Sequence, residues 1–320
     1  MVVVNPRASA VTDLRRRVVI DTLRSHFDVE VLETNSRGHA TVLGRSAADA
    51  RCEAAVVLGG DGTANEVANG LAGSPTAMAA LPGGSTNVVA RALGFSHRLA
   101  RATDQMVDAL GAGSTRRIGL GRAGDRHFLV NAGMGFDAAV VGEAERQQGL
   151  KRRIGQPVFL YAALATWVRY ADPARPRMSV TVAGGGRVDD AHLAICCNGH
   201  PYTFAGPRAL DIAPDADFDR GLAVVALRTM GLVPLLSVVG SALGLGRPVA
   251  EHPAVSYHHD VAEVTVEGHG PFPYQLDGEL LGETTRLVLT HCPDQLNVAV
   301  PAPLDQDRPK EPLESEAPPA

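Results

Sequence analysis

Val56-Val57-Leu58-Gly59-Gly60-Asp61-Gly62-Thr63-Ala64-Asn65-Glu66 is the stretch on which the reading of this chain turns. A run of apolar β formers ends in three glycines, and a helical pattern follows. Glycine lets the backbone turn sharply and brings its N–H groups close to an anion. The start of the following helix adds partial positive charge. The stretch therefore reads as a phosphate cradle between a buried strand and a helix. It is neither a P-loop nor a GxGxxG fingerprint, because the lysine is missing and the glycine spacing differs. An aspartate inside such a cradle is electrostatically unfavourable unless a cation or a proton transfer needs it, which makes Asp61 the most informative residue. Two local alternatives stand beside this reading. Thr63 and Glu66 have the spacing of a capping box and would then start the helix. Asp61 also suits a plain turn.

A second loop repeats the logic. Ala79-Ala80-Leu81 runs into Pro82-Gly83-Gly84-Ser85-Thr86-Asn87, and a helical stretch from Val88 to Leu93 follows. Working outward, Val2 to Val4, Val29 to Leu32, Ala54 to Leu58 and Ala77 to Leu81 read as short strands. Leu14 to Phe27, Ala40 to Arg51 and Asn65 to Leu71 read as helices. Repeated β-α units with apolar strands predict a three-layer α/β domain with a mostly parallel sheet. Two glycine loops at the C-terminal ends of its strands fall where ligands bind in such sheets.

After about residue 115 the pattern changes. Arg116–Arg122, His127–Asn131, Met178–Ala183, His192–Asn198, Leu222–Leu227, Val261–Glu267, Phe272–Leu276 and Arg286–Thr290 alternate β formers between Gly, Asp and Pro clusters. These predict an antiparallel β domain, with helices near Gln156–Tyr170 and Leu232–Leu245. The expected division is 1–117 for the α/β domain and 118–300 for the β domain, with the last segment free to return to the first. A Pro-rich acidic tail over 301–320 reads as disordered.

Composition sets outer bounds. The 320 residues are 45% hydrophobic and 20% charged, which excludes a wholly disordered chain. A net charge of −5 gives no basic excess for nucleic acid. Lysine occurs only at 151 and 310. The cysteines 52, 196, 197 and 292 form no CxxC pair and read as reduced thiols of a cytosolic protein. No signal peptide precedes Val2-Val3-Val4, and the uncharged run Thr229–Gly246 contains Pro234 and four glycines, which suits a buried or interfacial helix better than a membrane span. The histidines show no HExxH or Cys/His ligand spacing.

Gly-Gly-Asp-Gly-Thr followed about twenty residues later by Pro-Gly-Gly-Ser-Thr-Asn resembles the diacylglycerol kinase catalytic-domain family, which includes bacterial lipid kinases and the sphingosine and ceramide kinases. Asn5-Pro6 is similar to its first-strand nucleotide loop. Thr34 with Gly38-His39-Ala40 resembles its Thr-x-x-x-Gly-His-Ala segment, and Asn131 to Ala138 its Asn-x-x-Gly-x-Gly-Phe-Asp-Ala segment. Asp277-Gly278-Glu279 resembles its late Asp-Gly-Glu motif. The resemblance reaches to about residue 300. It implies an α/β nucleotide-binding domain, a β-sandwich acceptor domain and an active site between them. It further implies ATP with Mg²⁺, contacted by Asn5, Pro6, Thr34, Gly59, Gly60, Asp61, Gly62, Thr63, Asn65, Glu66, Gly84, Ser85, Asn87 and Asp277. Asp61, also a ligand of the ATP-bound Mg²⁺, and Glu279 would be the catalytic acids, and which one is the base stays open.

Two positions depart from the family pattern. Ser85 replaces a common threonine and keeps the hydroxyl. Phe218-Asp219-Arg220-Gly221 stands where bacterial members often carry Asp-Asp-Gly. Arg220 cannot ligate a cation, which undercuts a structural Mg²⁺ near Asp217, Asp219 and Leu222. The implied activity is transfer of the γ-phosphate of ATP to a membrane lipid, diacylglycerol first. The protein would be cytoplasmic and peripheral on the inner membrane face, with no nucleic-acid partner and with a homodimer left open. Lys151-Arg152-Arg153 followed by Phe159, Leu160, Tyr161, Trp167 and Tyr170 suits either an anionic lipid surface or ordinary packing. Other acceptors (sphingoid base, ceramide, phosphatidylglycerol, NAD) and a non-catalytic binding protein are the rival readings.

Overall fold

The structure, a computed structural model, describes residues 1–146, 162–163, 165–168 and 177–301. The basic triplet at 151–153, the residues Phe159, Leu160, Tyr161 and Tyr170, and the acidic tail from 302 onward lie outside them.

The first unit comprises β1 (Val2–Val4), α1 (Asp13–Arg24), β2 (Val31–Glu33), α2 (His39–Asp49), β3 (Ala54–Gly59), α3 (Asp61–Leu71), β4 (Ala77–Pro82), α4 (Val88–Ala92) and α5 (Leu99–Gly111). Its strands lie parallel in the order β2-β1-β3-β4, with Val3 opposite Leu32 and Val57, and Val57 opposite Ala80. Val3, Val57 and Ala79 are shut off from water. Such strands need helices on both faces, which is why they read as uninterrupted apolar runs. The helices α2 and α3 approach closely because both carry glycine at the contact: a Cβ on Gly70 would lie 2.3 Å from the Thr41 carbonyl oxygen. The chain leaves β1 toward β2 on one side and places β3 on the other. The crevice between β1 and β3 is thus the topological switch point of the sheet, where ligands bind in this architecture.

The second unit holds β5 (Thr115–Ala123), β6 (Arg126–Phe128), β7 (Asn131–Gly135), α6 (Phe136–Arg146), β8 (Met178–Val182), β9 (Gly186–Ala191), β10 (Leu193–Cys197), β11 (Thr203–Ala205), β12 (Arg208–Leu210), β13 (Leu222–Leu227), α7 (Leu232–Ala242), β14 (Val255–Val261), β15 (Glu263–Leu276) and β16 (Glu279–Ala299). Pairing within this unit is antiparallel, as the alternating pattern predicts. Cys196 and Cys197 on β10 belong to apolar clusters on opposite faces of the sheet, and burial pushes the Cys196 thiol up to about 12. They are inert core residues.

The long strand β16 joins the two units. Its first half pairs with β15, its second half with β5, and Asn297 and Val298 run parallel to β4. The turn between β15 and β16 carries Asp277-Gly278, so one hairpin of the second unit is continuous with the sheet of the first.

Two local readings are corrected. The helix α3 begins at Asp61 with Gly60 as its N-cap, not at Asn65, and Gly60 offers no capping side chain. Thr63 and Glu66 therefore do not form a capping box: Thr63 already lies within the first turn, and both side chains serve other elements.

Candidate active site

Of the residues expected from sequence, Asn5, Thr34, the 59–66 stretch and the 84–87 loop stand at the C-terminal ends of the parallel strands, and Asp277 and Glu279 at the β15–β16 turn. Asn5 follows β1, and its Nδ2 donates to Thr63 Oγ1 at 2.9 Å, closing the β1/β3 switch point. Its backbone N–H donates to the Leu58 carbonyl at 3.0 Å, which locks the strand ends together. Thr34 follows β2 on the other side, its N–H donating to the Val4 carbonyl. The two glycine loops press directly on each other. A Cβ on Gly84 would lie 2.7 Å from Gly60 Cα, and one on Gly83 would lie 2.8 Å from the Gly59 nitrogen. Asn87 closes the second loop: it adopts φ 51°, accepts from the Gly84 N–H at 2.6 Å and donates back to the Gly84 carbonyl. Ser85 in the second loop, Gly62 in the first turn of α3 and Pro6 beside Asn5 stay exposed.

Asp61 opens α3 and points at the start of α4, where Oδ1 accepts from the Val89 N–H at 2.9 Å. Burial pushes its carboxyl above the ordinary aspartate range, and the amides of Val89, Val88 and Asn87 pull against that rise. One acidic side chain thus ties the first glycine loop to the second. Glu66, one turn further along, is spent on α2. Its two oxygens accept from the Gly38 and Ala40 N–H groups at 2.9 and 3.0 Å, a carboxylate at a helix N-terminus.

Asn65 faces the second unit. Its Nδ2 donates to Asp277 Oδ2 at 2.7 Å and to the His127 carbonyl, while its Oδ1 accepts from Arg126. Asp277, held at φ 47°, accepts from the N–H groups of Leu129, Val130 and Asn131 as well as from Asn65. Its carboxylate is a pin between the units, raised by desolvation against those four donors. Behind it the Gln275 amide donates to Asn131 Oδ1 and Asp137 Oδ2, and its Oε1 accepts from the Gly278 N–H. Asp137 also accepts from the Tyr202 hydroxyl. Gly133 has no room for a side chain because that carboxylate fills the space. The Asn131–Ala138 segment is thereby explained: it builds the floor on which the Asp277-Gly278-Glu279 turn rests.

Glu279 stands at the end of this turn, half-buried, between Arg126 and Arg37. Burial acts to raise its carboxyl, but the Arg126 and Arg37 guanidiniums outweigh that and hold it below the usual glutamate range. The two candidate acids are therefore brought to one cleft by a relay: Asp61 and Asn65 lie one turn apart on α3, and Arg126 joins Asn65 to Glu279. Sequence reasoning missed Arg37 and Arg126. Arg37 lies inside the Thr34–Gly38 segment already singled out, and that position was its only available signal.

Beside Glu279, the next residue Leu280 lines a cavity of about 220 Å³ with Ala139, Gly142, Glu143, Arg146 and Thr166. Asp219 faces Arg116 at 3.5 Å, and Asp217 Oδ1 accepts from the Asp219 N–H. Leu222 is a core residue of β13. Among the described residues no group of three or more His, Cys, Asp or Glu is placed to cage a metal. A magnesium held mainly by phosphate oxygens needs one or two carboxylates only, and Asp61 in the glycine cradle fits that donor set.

Two family models match the chain. Residues 1–123 match the diacylglycerol kinase catalytic domain, and residues 130–300 match the YegS C-terminal NAD kinase beta sandwich-like domain. A diacylglycerol kinase of Staphylococcus carnosus is 24% identical over 268 residues, covering 83% of each chain. One from Bacillus subtilis is 34% identical over 113 residues, 34% of this chain and 36% of that one. The crystal structure of a diacylglycerol kinase from Bacillus anthracis str. Sterne superposes with a TM-score of 0.68 at 18% identity, covering 93% of this chain and 95% of that one. At such identity the likeness is one of fold.

Proposed function

Because the chain belongs to the diacylglycerol kinase catalytic-domain family, and so to the lipid kinases, we propose that it transfers the γ-phosphoryl group of ATP to the hydroxyl of diacylglycerol, giving phosphatidic acid and ADP. The observation that carries this reading is the cleft itself: two interlocked glycine loops and the first turn of α3 on one side, and a carboxylate beside a cavity on the other.

Asn5, Pro6, Thr34 and Ser85 would border the nucleotide, and the amides of the first turn of α3 would meet its phosphates. Phosphoryl transfer requires positioning and charge neutralisation more than covalent help. Magnesium would supply neutralisation of the phosphate oxygens, and Asp61 is the side chain that would hold it. Glu279 would accept the proton of the acceptor hydroxyl as its oxygen forms a bond to the γ-phosphorus and the bond to ADP breaks. A carboxylate kept ionised by arginines is a weak base. It suffices where the transition state is loose, because the attacking hydroxyl keeps its proton until late. Asp277 and Asn65 act through Glu279 and Arg126 by fixing where they stand. The cavity lined by Leu280, Gly142 and Ala139 would take the glycerol end of the acceptor.

The acceptor comes from a membrane. Among the described residues no helix is long and apolar enough to cross one. Leu232, Val233, Leu236 and Val239 lie exposed on α7, and we assign that face to contact with the inner membrane leaflet.

Incubation of the purified protein with γ-labelled ATP, Mg²⁺ and separate acceptors tests the reading. The acceptors are dioctanoylglycerol in micelles, a sphingoid base, ceramide, phosphatidylglycerol and NAD. Label should appear in phosphatidic acid. Label in NAD alone would select a nucleotide kinase, and no labelled product in any lane would leave a binding protein.

A further inference from the structure

The cleft carries Asp61, Glu66, Asp277 and Glu279, and their partners differ in kind. Glu66 is satisfied by the amides at the start of α2, Asp61 by those of α4, and Asp277 by three amides and Asn65. Glu279 is the one of the four paired with guanidinium groups.

The two arginines are not equivalent. Arg126 is anchored twice, on Glu279 and on Asn65 Oδ1. Arg37 hangs from the β2–α2 loop with its side chain 64% exposed, while the Glu279 side chain is 16% exposed. Among the described residues, its polar contacts go to Glu279, across from the other unit. Arg37 also stands three residues beyond Thr34, on the loop that follows β2, the strand beside β1 of the β1/β3 crevice.

A triphosphate entering that crevice brings several negative charges. Among the described residues, the cationic side chains paired with the acids of the cleft are Arg37 and Arg126. The planar fork that grips a carboxylate grips a phosphate equally well. Resting on the kinase reading above, we propose that Arg37 is a ligand of the β- or γ-phosphate, exchanging Glu279 for phosphate oxygens when ATP binds, while Arg126 keeps hold of Glu279. The exchange draws the first unit's loop onto the nucleotide and leaves one Glu279 oxygen free to face the acceptor. Base and phosphate donor are thereby armed in one step.

The alternative is a plain clamp between the units, and calorimetry separates the two. ATP and AMP binding are measured on the full chain as wild type, Arg37→Ala and Glu279→Gln. Arg37 is exposed, so its truncation leaves the core intact. Arg37→Ala should weaken ATP binding about tenfold or more and leave AMP binding unchanged. Glu279→Gln frees Arg37 and removes a like charge from the phosphates, so it should bind ATP at least as tightly as wild type. Equal ATP affinity in wild type and Arg37→Ala, or weaker ATP binding in Glu279→Gln, would overturn the proposal. A wild-type protein that binds no ATP would instead overturn the kinase reading on which it rests.

Discussion

The two units furnish their halves of the cleft from different materials. The α/β unit works with backbone: two touching glycine pairs, the first turn of α3, and an aspartate that laces it to the next helix. The β unit works with side chains held by side chains: Glu279 between arginines, on a turn fastened by Asp277 and Gln275. A backbone site tolerates changes of charge nearby but no added volume. A side-chain site tolerates volume but no loss of a donor or acceptor. Substitutions on the two sides should therefore fail in different ways.

The largest loss is expected on the side-chain half. Asp277→Ala leaves the amides of Leu129, Val130 and Asn131 and the Asn65 side chain without their acceptor. Unsatisfied groups cost about 1–3 kcal/mol each where water cannot replace the partner. Urea denaturation should show a loss of about 3 kcal/mol or more. A variant as stable as wild type would show that the turn is not fastened this way.

On the backbone half, Gly84→Ala puts a methyl 2.7 Å from Gly60 Cα. Forcing the loops apart should cost about 1–3 kcal/mol, read as weaker ATP binding with folding largely preserved. Unimpaired binding would mean that the loop contact is not part of the cradle.

A smaller effect sharpens the electrostatic contrast. Arg126→Gln removes the stronger influence holding the Glu279 carboxyl down, and burial then pushes it up. Protonation would set in at higher pH, so the acidic limb of kcat/KM, which reports the free enzyme, should move upward. An unmoved limb would separate Glu279 from the rate. Smallest of all is Glu66→Gln, which weakens the cap on α2 by about 0.3–1 kcal/mol. Thermal melting reads it.

The glycine loops were legible because their signal is local: apolar strand, glycines, helix. Helix α3 started earlier than its pattern implied, because Gly60 caps it without a side chain and the Thr-x-x-Glu spacing serves Asn5 and α2 instead. The strand β16 showed only its Arg286–Thr290 core, since Gly282, Pro293 and Asp294 read as punctuation. A shift in register carries the strand past Pro293 and Asp294. The helix α6 was hidden inside a motif of small residues. Arg37 had only its place between Thr34 and Gly38, and Arg126 had no local mark at all. Their meaning lies in Glu279, 242 and 153 residues away, and no spacing rule reaches that far.

The proposed chemistry turns on which carboxylate takes the acceptor proton. Single-turnover transfer from γ-labelled ATP to dioctanoylglycerol by Glu279→Gln, at saturating ATP, asks this directly. Transfer should fall about 10²-fold or more with ATP still bound. Transfer at the wild-type rate in Glu279→Gln, with loss confined to Asp61→Asn, would contradict it and move the chemistry to the glycine cradle.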